Sequence, residues 1–281
     1  MTSSPISLVA GMGRLGTEVA RGLLRAGHRV YGINRSGRCL QEGIVMVAAD
    51  LTEPLSMSVC KQLPKADNVV VALAPSRQHP GDYEKTYRGG MDHLVVGLGG
   101  QVSRLLYVSS TVVYSQNLGE WVSEDSVVTP HNLRATVQLQ CEQMAAAAAN
   151  TSVVLRLGGL YGPGREALLN RVRAKTPVTS KPAHFTNRVF QTDAANMVVH
   201  LLQNSDSQGV FLGVDNQPAP MHEVCQWLAE RMGMDPLPQL AQSSDVAVSG
   251  KRISNQRLLN SGFQCRYPSF KEGYSALLGS G

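Results

Sequence analysis

The stretch "ISLVAGMGRLGTEVARGLLRAGHRVYGINR" (residues 6–35) contains the pattern that decides the fold. A short apolar run is followed by three closely spaced glycines and then by apolar residues at helical spacing: Leu15, Val19, Ala20, Leu23 and Leu24. Gly27 stands where such a helix would end, and "RVYGI" supplies a second apolar run. This order predicts a strand, a tight turn, a helix and a second strand.

The three glycines fall in the pattern G-x-G-x-x-G, which is typical of a dinucleotide-binding turn. Gly11 allows the tight turn, Gly13 lets the backbone approach a pyrophosphate, and Gly16 lets the helix pack on the strand. Arg14 and Leu15 complete the turn, and the amide-rich start of the helix faces the anion. We therefore predict a cofactor site at these five residues, and a glycine-rich turn without a ligand is the alternative.

The end of the second strand predicts which dinucleotide is bound. NAD sites usually carry an Asp or Glu there, whereas this chain has Asn34 followed by Arg35, with Arg38 nearby. A carboxylate would repel the 2′-phosphate of NADP, and a guanidinium can hold it with two hydrogen bonds. We expect NADP as the cofactor, with NAD as the alternative if both arginines are merely solvated.

Apolar runs continue to alternate with helical patterns along the first half of the chain, at residues 44–50, 68–75, 104–110 and 152–157. Alternating strands and helices imply crossover connections, and they predict an α/β fold with a doubly wound parallel sheet of the Rossmann type. After about residue 160, short elements are interleaved with Pro-rich and polar loops. We expect a dinucleotide-binding domain over residues 1–155 and a smaller C-terminal substrate lobe over residues 156–281, partly interleaved with the sheet domain.

Charge and composition narrow the function classes. The net charge is +5, and residues 1–40 hold six Arg and one Glu, so the excess lies beside the predicted phosphate site. Basic clusters interleaved with aromatic residues are missing, which argues against a nucleic-acid partner. The longest apolar run, residues 69–74, is too short to span a membrane. Five scattered Cys and the lack of a signal peptide favour the cytoplasm, and no ligand spacing suggests a metal.

By these residues the chain resembles the NAD-dependent epimerase/dehydratase family, as an atypical member of the extended short-chain dehydrogenase/reductases. The resemblance covers nearly the whole chain. It depends on "GMGRLG", on "AAD" followed by Leu51, and on three longer segments, which are "YVSSTVVY" (107–114), "LRLGGLYGPG" (155–164) and the C-terminal stretch 253–278.

The resemblance implies further site residues. Asp50 and Leu51 would contact the adenine, and Leu73 and Ala74, after the fourth strand, would line the cofactor groove. Ser110 matches the Ser or Thr that holds a substrate carbonyl or hydroxyl, and we add Thr111 to it as a catalytic candidate.

Two departures from the family concern the cofactor turn and the substrate. Extended members usually open with GxxGxxG, whereas this chain has the shorter spacing. An Asn that helps hold a nucleotide-sugar pyrophosphate is replaced by Gly159, which makes such a substrate less expected.

The most serious departure is the missing proton donor. The family places Y-x-x-x-K on the helix after the fifth strand, where Tyr transfers the proton and Lys lowers its pKa. Counting back from Glu142, those positions are Arg134 and Gln138. No Tyr occurs between residues 115 and 160 and no Lys between 86 and 174, so no register restores the pair.

Other side chains could replace the donor. Tyr161, in the Gly/Pro loop, is the catalytic candidate that we add to Ser110 and Thr111. Further candidates are, in order of position, His79, Tyr83, Tyr87, Tyr114 and His131. For each of them a packed or surface role is the alternative.

Two functions from different classes therefore remain open. One is an NADP-preferring oxidoreductase or epimerase/dehydratase-like enzyme acting on a small polar substrate. The other is a non-catalytic NADP-binding sensor or regulatory protein. A homodimer is possible through the small-residue surfaces "VVGLGG" and "MAAAAA" of two helices.

Overall fold

The computed structural model describes residues 4–75, 82–100, 102–241 and 246–279. Within them the strands are β1 (Ile6–Ala10), β2 (Arg29–Asn34), β3 (Ile44–Ala48), β4 (Asn68–Val71), β5 (Val102–Ser110), β6 (Leu118–Val122), β7 (Ala149–Leu157), β8 (Gly159–Tyr161), β9 (Val178–Lys181), β10 (Ala183–Thr186), β11 (Arg188–Phe190), β12 (Gly209–Gly213), β13 (Ala219–Pro220), β14 (Gln239–Ala241) and β15 (Val248–Ile253). The α-helices are α1 (Arg14–Arg25), α2 (Met57–Cys60), α3 (Gly90–Gly97), α4 (Leu133–Ala147), α5 (Ala167–Arg173), α6 (Gln191–Gln203), α7 (Met221–Arg231), α8 (Gln256–Asn260) and α9 (Phe270–Leu278).

A seven-stranded sheet forms the centre of the fold, in the order β12-β7-β5-β4-β1-β2-β3. Strand β1 pairs in parallel with β2 and β4, β2 with β3, and β4 with β5. The chain order therefore reverses beside β1, at the kind of switch point where open α/β sheets bind ligands. The predicted doubly wound parallel sheet is confirmed.

Burial explains why the apolar runs form central strands. All four residues of β4 are buried, as are four of the five in β1, because helices cover both faces of the sheet. Helix α1 follows the glycine turn as predicted, and Val19, Ala20 and Leu23 on its inner side are fully buried. One turn of π-helix, Lys85–Gly89, precedes α3.

The chain forms two compact units. The first comprises Met1–Val113, Val128–Arg156 and Ala195–Phe211. The second comprises Tyr114–Val127, Leu157–Ala194 and Leu212–Gly281. Each unit is thus built from separated segments, and the simple boundary at residue 155 stays a prediction.

The second unit has its own sheet and core. Its four-stranded sheet has the order β13-β10-β15-β6. Helices α5, α7 and α9 contribute an apolar cluster that includes Leu169, Leu228 and Phe270. In the described part of the chain, no helix combines the length and apolar character needed to cross a membrane.

Candidate functional site

The glycine turn after β1 is shaped by close backbone approach. Gly11 has φ +98°, and a Cβ there would lie 2.5 Å from the Ala72 carbonyl oxygen, so only glycine fits. A Cβ on Gly16 would overlap the Gly11 carbonyl oxygen. Gly13, the residue before α1, has no atom within 4 Å of the Cβ position. Two glycines therefore let the backbone pack, and the third leaves open space at the start of a helix.

A cavity of about 500 Å³ opens at this turn and runs along the carboxyl ends of β1 to β4. Its lining brings together eight predicted cofactor residues: Gly11, Gly13, Asn34, Arg35, Asp50, Leu51, Leu73 and Ala74. It also contains nine residues that the sequence interpretation missed: Met12, Ile33, Ala49, Thr52, Glu53, Ala72, Asp82, Lys85 and Thr86. Arg14, Leu15 and Gly16 begin α1 and are not part of the lining.

The end of β2 presents an arginine to this cavity. The Asn34 side chain is occupied locally, because it donates to the Arg38 carbonyl at 2.9 Å and accepts from the Ser36 hydroxyl at 3.2 Å. Arg35 is exposed and lines the cavity, whereas Arg38 is held in the adjacent turn and is not among the lining residues. A positive side chain therefore directly follows the strand end where NAD sites usually carry an acidic residue.

Asp50 supplies a carboxylate to the same cavity. Partial burial raises its pKa, but two hydrogen bonds from Thr52 and the charges of Arg35 and Lys85 outweigh this, and the pKa lies below its usual value. The Asp50 oxygen Oδ1 accepts both bonds, at 3.0 Å from the Thr52 amide and 2.8 Å from its hydroxyl. At the rim, Lys85 pairs with Glu53 at 2.6 Å.

Ser110 and Thr111 lie at the carboxyl end of β5. Ser110 ends the strand, and Thr111 begins a 3₁₀ turn, Thr111–Val113. The Ser110 hydroxyl accepts a bond from the Val112 amide at 3.2 Å and so stabilises this turn. Both side chains are half-buried, and their hydroxyls can bind an oxygen atom of a ligand, but a substrate role for them stays a prediction.

Arg134 and Gln138, at the α4 positions where the family carries its dyad, both contact Tyr83. The Gln138 side chain is 1% exposed, its Nε2 donates to Tyr83 Oη at 2.8 Å, and its Oε1 accepts from Tyr107 Oη at 2.8 Å. The exposed Arg134 places its guanidinium carbon 5.7 Å from the centre of the Tyr83 ring. Gln138 is thus fully used in bonds to two phenols.

A buried ion pair holds the middle of α4 against the sheet. Glu142 accepts from Arg156 Nε at 3.0 Å and Nη2 at 2.7 Å, and from the Ser109 hydroxyl at 2.5 Å. All three side chains are buried, and they connect α4 with β5 and β7. Because the carboxylate is bonded from both neighbouring strands, α4 keeps a defined position even without the dyad.

Tyr161 lies in the core of the second unit. Its ring is 4% exposed and stacks on Tyr274 with 4.5 Å between centroids, and its hydroxyl donates weakly to the Ser269 carbonyl at 3.5 Å. Burial raises its pKa well above the usual value. A Cβ on Gly273 would overlap the Tyr161 hydroxyl, so α9 packs directly on it. These contacts give Tyr161 a packing role, and its catalytic role stays a prediction.

The remaining candidates have local partners. Tyr114 is fully buried, and its carbonyl accepts from Lys251 Nζ at 2.6 Å. His131 is exposed, with Nδ1 3.3 Å from the Thr129 carbonyl oxygen, and His79 lies outside the described residues. At Gly159, a Cβ would come within 3.3 Å of the Asn187 carbonyl oxygen, so a larger side chain is disfavoured there.

A buried acid in the second unit escaped the sequence interpretation. Asp215 is 2% exposed, accepts from the Gln217 amide at 3.1 Å through Oδ1, and has no partner for Oδ2 among the described residues. Burial raises its pKa to about 7, against the opposing charge of Arg188. No sequence signal marked it. The residues that the structure describes contain no group of three His, Cys, Asp or Glu side chains that could hold a metal.

The comparisons with known proteins agree with this geometry. The model of the NAD dependent epimerase/dehydratase family matches residues 7–211. A Methylobacillus flagellatus structure assigned as an NAD-dependent epimerase/dehydratase is similar, with 31% identity, a TM-score of 0.80 and 99% coverage of each chain. Functionally curated proteins give no match.

Two more distant structures share the fold. The human epimerase family protein SDR39U1 (isoform 2), solved with NADPH, has 19% identity and a TM-score of 0.76 over 95% of this chain and 97% of its own. The Bordetella bronchiseptica enzyme WbmG, solved with NAD, has 19% identity and a TM-score of 0.79 over 99% of this chain and 94% of its own. The chain described here belongs to the NAD-dependent epimerase/dehydratase family.

Proposed function

We propose that the chain is an NADP-preferring oxidoreductase of this family that acts on a small polar carbonyl or hydroxyl substrate. The observation that carries the proposal is the 500 Å³ cavity, where the open Cβ position of Gly13 meets the exposed Arg35 at the end of β2. The bare backbone at Gly13 leaves room for a pyrophosphate, and the Arg35 guanidinium suits a 2′-phosphate.

The residues present fit such a cofactor. The amides at the start of α1 would hold the pyrophosphate, Arg35 the 2′-phosphate, and the Asp50 carboxylate, kept ionised, would accept from the adenine amino group. A bound dinucleotide supplies hydride transfer at the nicotinamide ring. Ser110 and Thr111 would orient the substrate oxygen through their hydroxyls. A soluble cytoplasmic protein is consistent with five free cysteines.

Cofactor choice is tested with Arg35→Ala. Loss of a charge-assisted pair to the 2′-phosphate should weaken NADPH binding about 10- to 100-fold and leave NADH binding nearly unchanged. Nucleotide fluorescence titrations measure both affinities. Arg25→Ala is the matched control, since Arg25 is exposed in the last turn of α1 and is not part of the cavity lining. Tighter binding of NADH than NADPH by the unaltered protein would refute the NADP preference.

A non-catalytic NADP sensor is the second candidate. It is favoured by Gln138, which occupies the place of the family lysine and has both ends of its amide engaged. Screening of small aldehydes and ketones for NADPH oxidation separates the two functions. Turnover that depends on Ser110 supports the enzyme, whereas tight NADPH binding without turnover across the panel supports the sensor.

A further inference from the structure

The phenol of Tyr83 contacts both a cation and an amide from helix α4. Gln138 Nε2 donates to Tyr83 Oη at 2.8 Å, and the Arg134 guanidinium carbon lies 5.7 Å from the ring centre. The two α4 residues are four positions apart and therefore lie on one side of the helix. Both interactions favour the ionised phenol, the form that remains after a proton has been given away.

The amide of Gln138 bonds to two phenols, Tyr107 and Tyr83. Burial raises the pKa of Tyr107 far above its usual value, so that hydroxyl stays protonated and donates to Gln138 Oε1 at 2.8 Å. Gln138 Nε2 in turn donates to Tyr83 Oη at 2.8 Å, so the amide is held between the two phenols.

The Tyr83 hydroxyl keeps its own proton for another acceptor. It accepts the bond from Gln138, and among the described residues it donates to none. Its side chain is half-buried, unlike that of Tyr161, whose hydroxyl faces a backbone carbonyl inside a core. A ligand oxygen can therefore be a natural acceptor for the Tyr83 proton.

The groups around Tyr83 keep it protonated at neutral pH. Burial raises its pKa and outweighs the bond from Gln138 and the charge of Arg134, and Cys141 adds to the rise. The Tyr87 ring, 4.6 Å away, is a second neutral phenol whose pKa burial also raises. Tyr83 is thus protonated, and the bond from Gln138 and the charge of Arg134 are the two interactions that strengthen it as an acid.

Tyr83 also lies in the segment that borders the proposed cofactor cavity. Asp82 immediately before it, and Lys85 and Thr86 shortly after it, line that cavity. Tyr83 itself is directed toward α4 and β5, where Gln138 and Tyr107 lie. The segment that carries Tyr83 therefore borders the cavity, and the phenol itself reaches helix α4.

We propose that Tyr83 is the catalytic proton donor of this protein, with Arg134 and Gln138 as its positioning residues. The inference rests on the proposed function, because it requires a bound NADP and a carbonyl substrate. In reduction, the Tyr83 O–H bond breaks, the proton moves to the carbonyl oxygen, and the electron pair stays on the phenolate. The carbonyl carbon receives the hydride that the dihydronicotinamide supplies, and the phenolate regains a proton from water.

The experiment measures the titration of Tyr83 directly. The protein is produced with 3,5-difluorotyrosine, whose lower intrinsic pKa brings titration into a range where the fold survives, and ¹⁹F NMR spectra are recorded against pH. Tyr83→Phe identifies the Tyr83 signal. Spectra are compared with saturating NADP⁺ and with saturating NADPH, which differ by one positive charge on the nicotinamide.

We expect the Tyr83 midpoint to be about one pH unit lower with NADP⁺ than with NADPH, as one charge a few ångströms away produces. Arg134→Gln should raise the midpoint by about half a unit with either nucleotide, and Arg134→Lys should restore it. Tyr31, on β2, is the internal control, since the adenosine ends of the two nucleotides are identical.

The outcomes separate this inference from the proposed function. The assignment is supported if the titration midpoint of Tyr83 differs between NADP⁺ and NADPH while that of Tyr31 does not. If both nucleotides bind and the Tyr83 midpoint is the same with each, Tyr83 is not beside the nicotinamide and the inference is overturned. If neither nucleotide binds, the proposed function fails and takes this inference with it.

Discussion

The glycine turn after β1 and helix α4 belong to the same unit, yet they differ in how the family chemistry is retained. In the turn, Gly11 and Gly16 stand against backbone atoms, and Gly13 faces open space, as a dinucleotide turn requires. In α4, the positions of the family dyad carry Arg134 and Gln138, and the helix is held by the buried pair Glu142–Arg156. The turn thus has the shape that a dinucleotide turn requires, whereas the two helix positions carry neither Tyr nor Lys.

The physical reason is that the two regions use different parts of the chain. The turn acts through backbone amides, which every sequence has. Its residues therefore only need side chains small enough to leave the space beside those amides free. Proton transfer acts through particular side chains, and these can be exchanged as long as the helix still packs. The following substitutions test the contrast, beginning with the largest expected effect.

Glu142→Gln should cost about 3–5 kcal/mol of unfolding free energy, because Arg156 would be left buried without its counter-charge. Urea denaturation followed by circular dichroism measures the change. Glu84→Gln is the control, since Glu84 forms an exposed pair with Arg88 on the π-helix and should cost less than about 0.5 kcal/mol. Equal effects of the two substitutions would show that the position of α4 does not depend on the buried pair.

Asp215→Asn tests a second buried acid. Glu142 is paired with Arg156, whereas Asp215 has one oxygen without a partner among the described residues. Burial raises the Asp215 pKa from 3.8 to about 7, so the folded state binds the proton more tightly than the unfolded state does. The stability that protonated Asp215 provides is present below about pH 4 and is lost as the pH rises through 7. The free energy of unfolding of the variant should therefore exceed that of the parent by about 2–4 kcal/mol at pH 8, and the difference should be much smaller at pH 4.

Urea denaturation at the two pH values checks this expectation. Asp235→Asn serves as the control, because Asp235 is exposed and only loosely paired with Lys175 at 3.5 Å. A pH-independent difference between Asp215→Asn and the parent would contradict a titrating buried carboxyl.

Gly16→Ala and Gly13→Ala separate packing from ligand binding within the turn. The first should lose about 1–3 kcal/mol of stability, since the added Cβ overlaps the Gly11 carbonyl oxygen. The second should change stability by less than about 0.5 kcal/mol but weaken NADPH binding, because its methyl group enters the open phosphate space. Paired denaturation and fluorescence titrations test both, and unchanged NADPH affinity in Gly13→Ala would argue against a phosphate at this turn.

Much of the fold followed from local pattern. The apolar runs that became β1, β2, β4 and β5 are continuous because strands covered on both faces expose no polar side. The short strands β8 to β11 carry no such signature, since three or four residues are too few to show a period. Their pairing depends on partners far away in the sequence, as in the parallel contact of β8 with β11.

The cofactor cavity shows the same limit at the level of residues. The resemblance to the family predicts Asp50 and Leu51 at the cofactor, whereas Lys85 and Thr86 belong to the π-helix and line the cavity only in the folded chain. Tyr161 shows a contact that local pattern does not reveal. Its Gly/Pro loop made Tyr161 a catalytic candidate. In the structure, α9, which begins 109 residues later in the sequence, packs over its hydroxyl.

By itself, the sequence determined the dinucleotide turn and the absence of any Tyr between residues 115 and 160, because glycine spacing and residue identity are local facts. Only the tertiary structure decided that Gln138 joins Tyr107 to Tyr83 and that Asp215 is buried with one oxygen lacking a partner among the residues that the structure describes. Hydrogen bonding and desolvation depend on which distant segments come together, and no local pattern encodes those contacts.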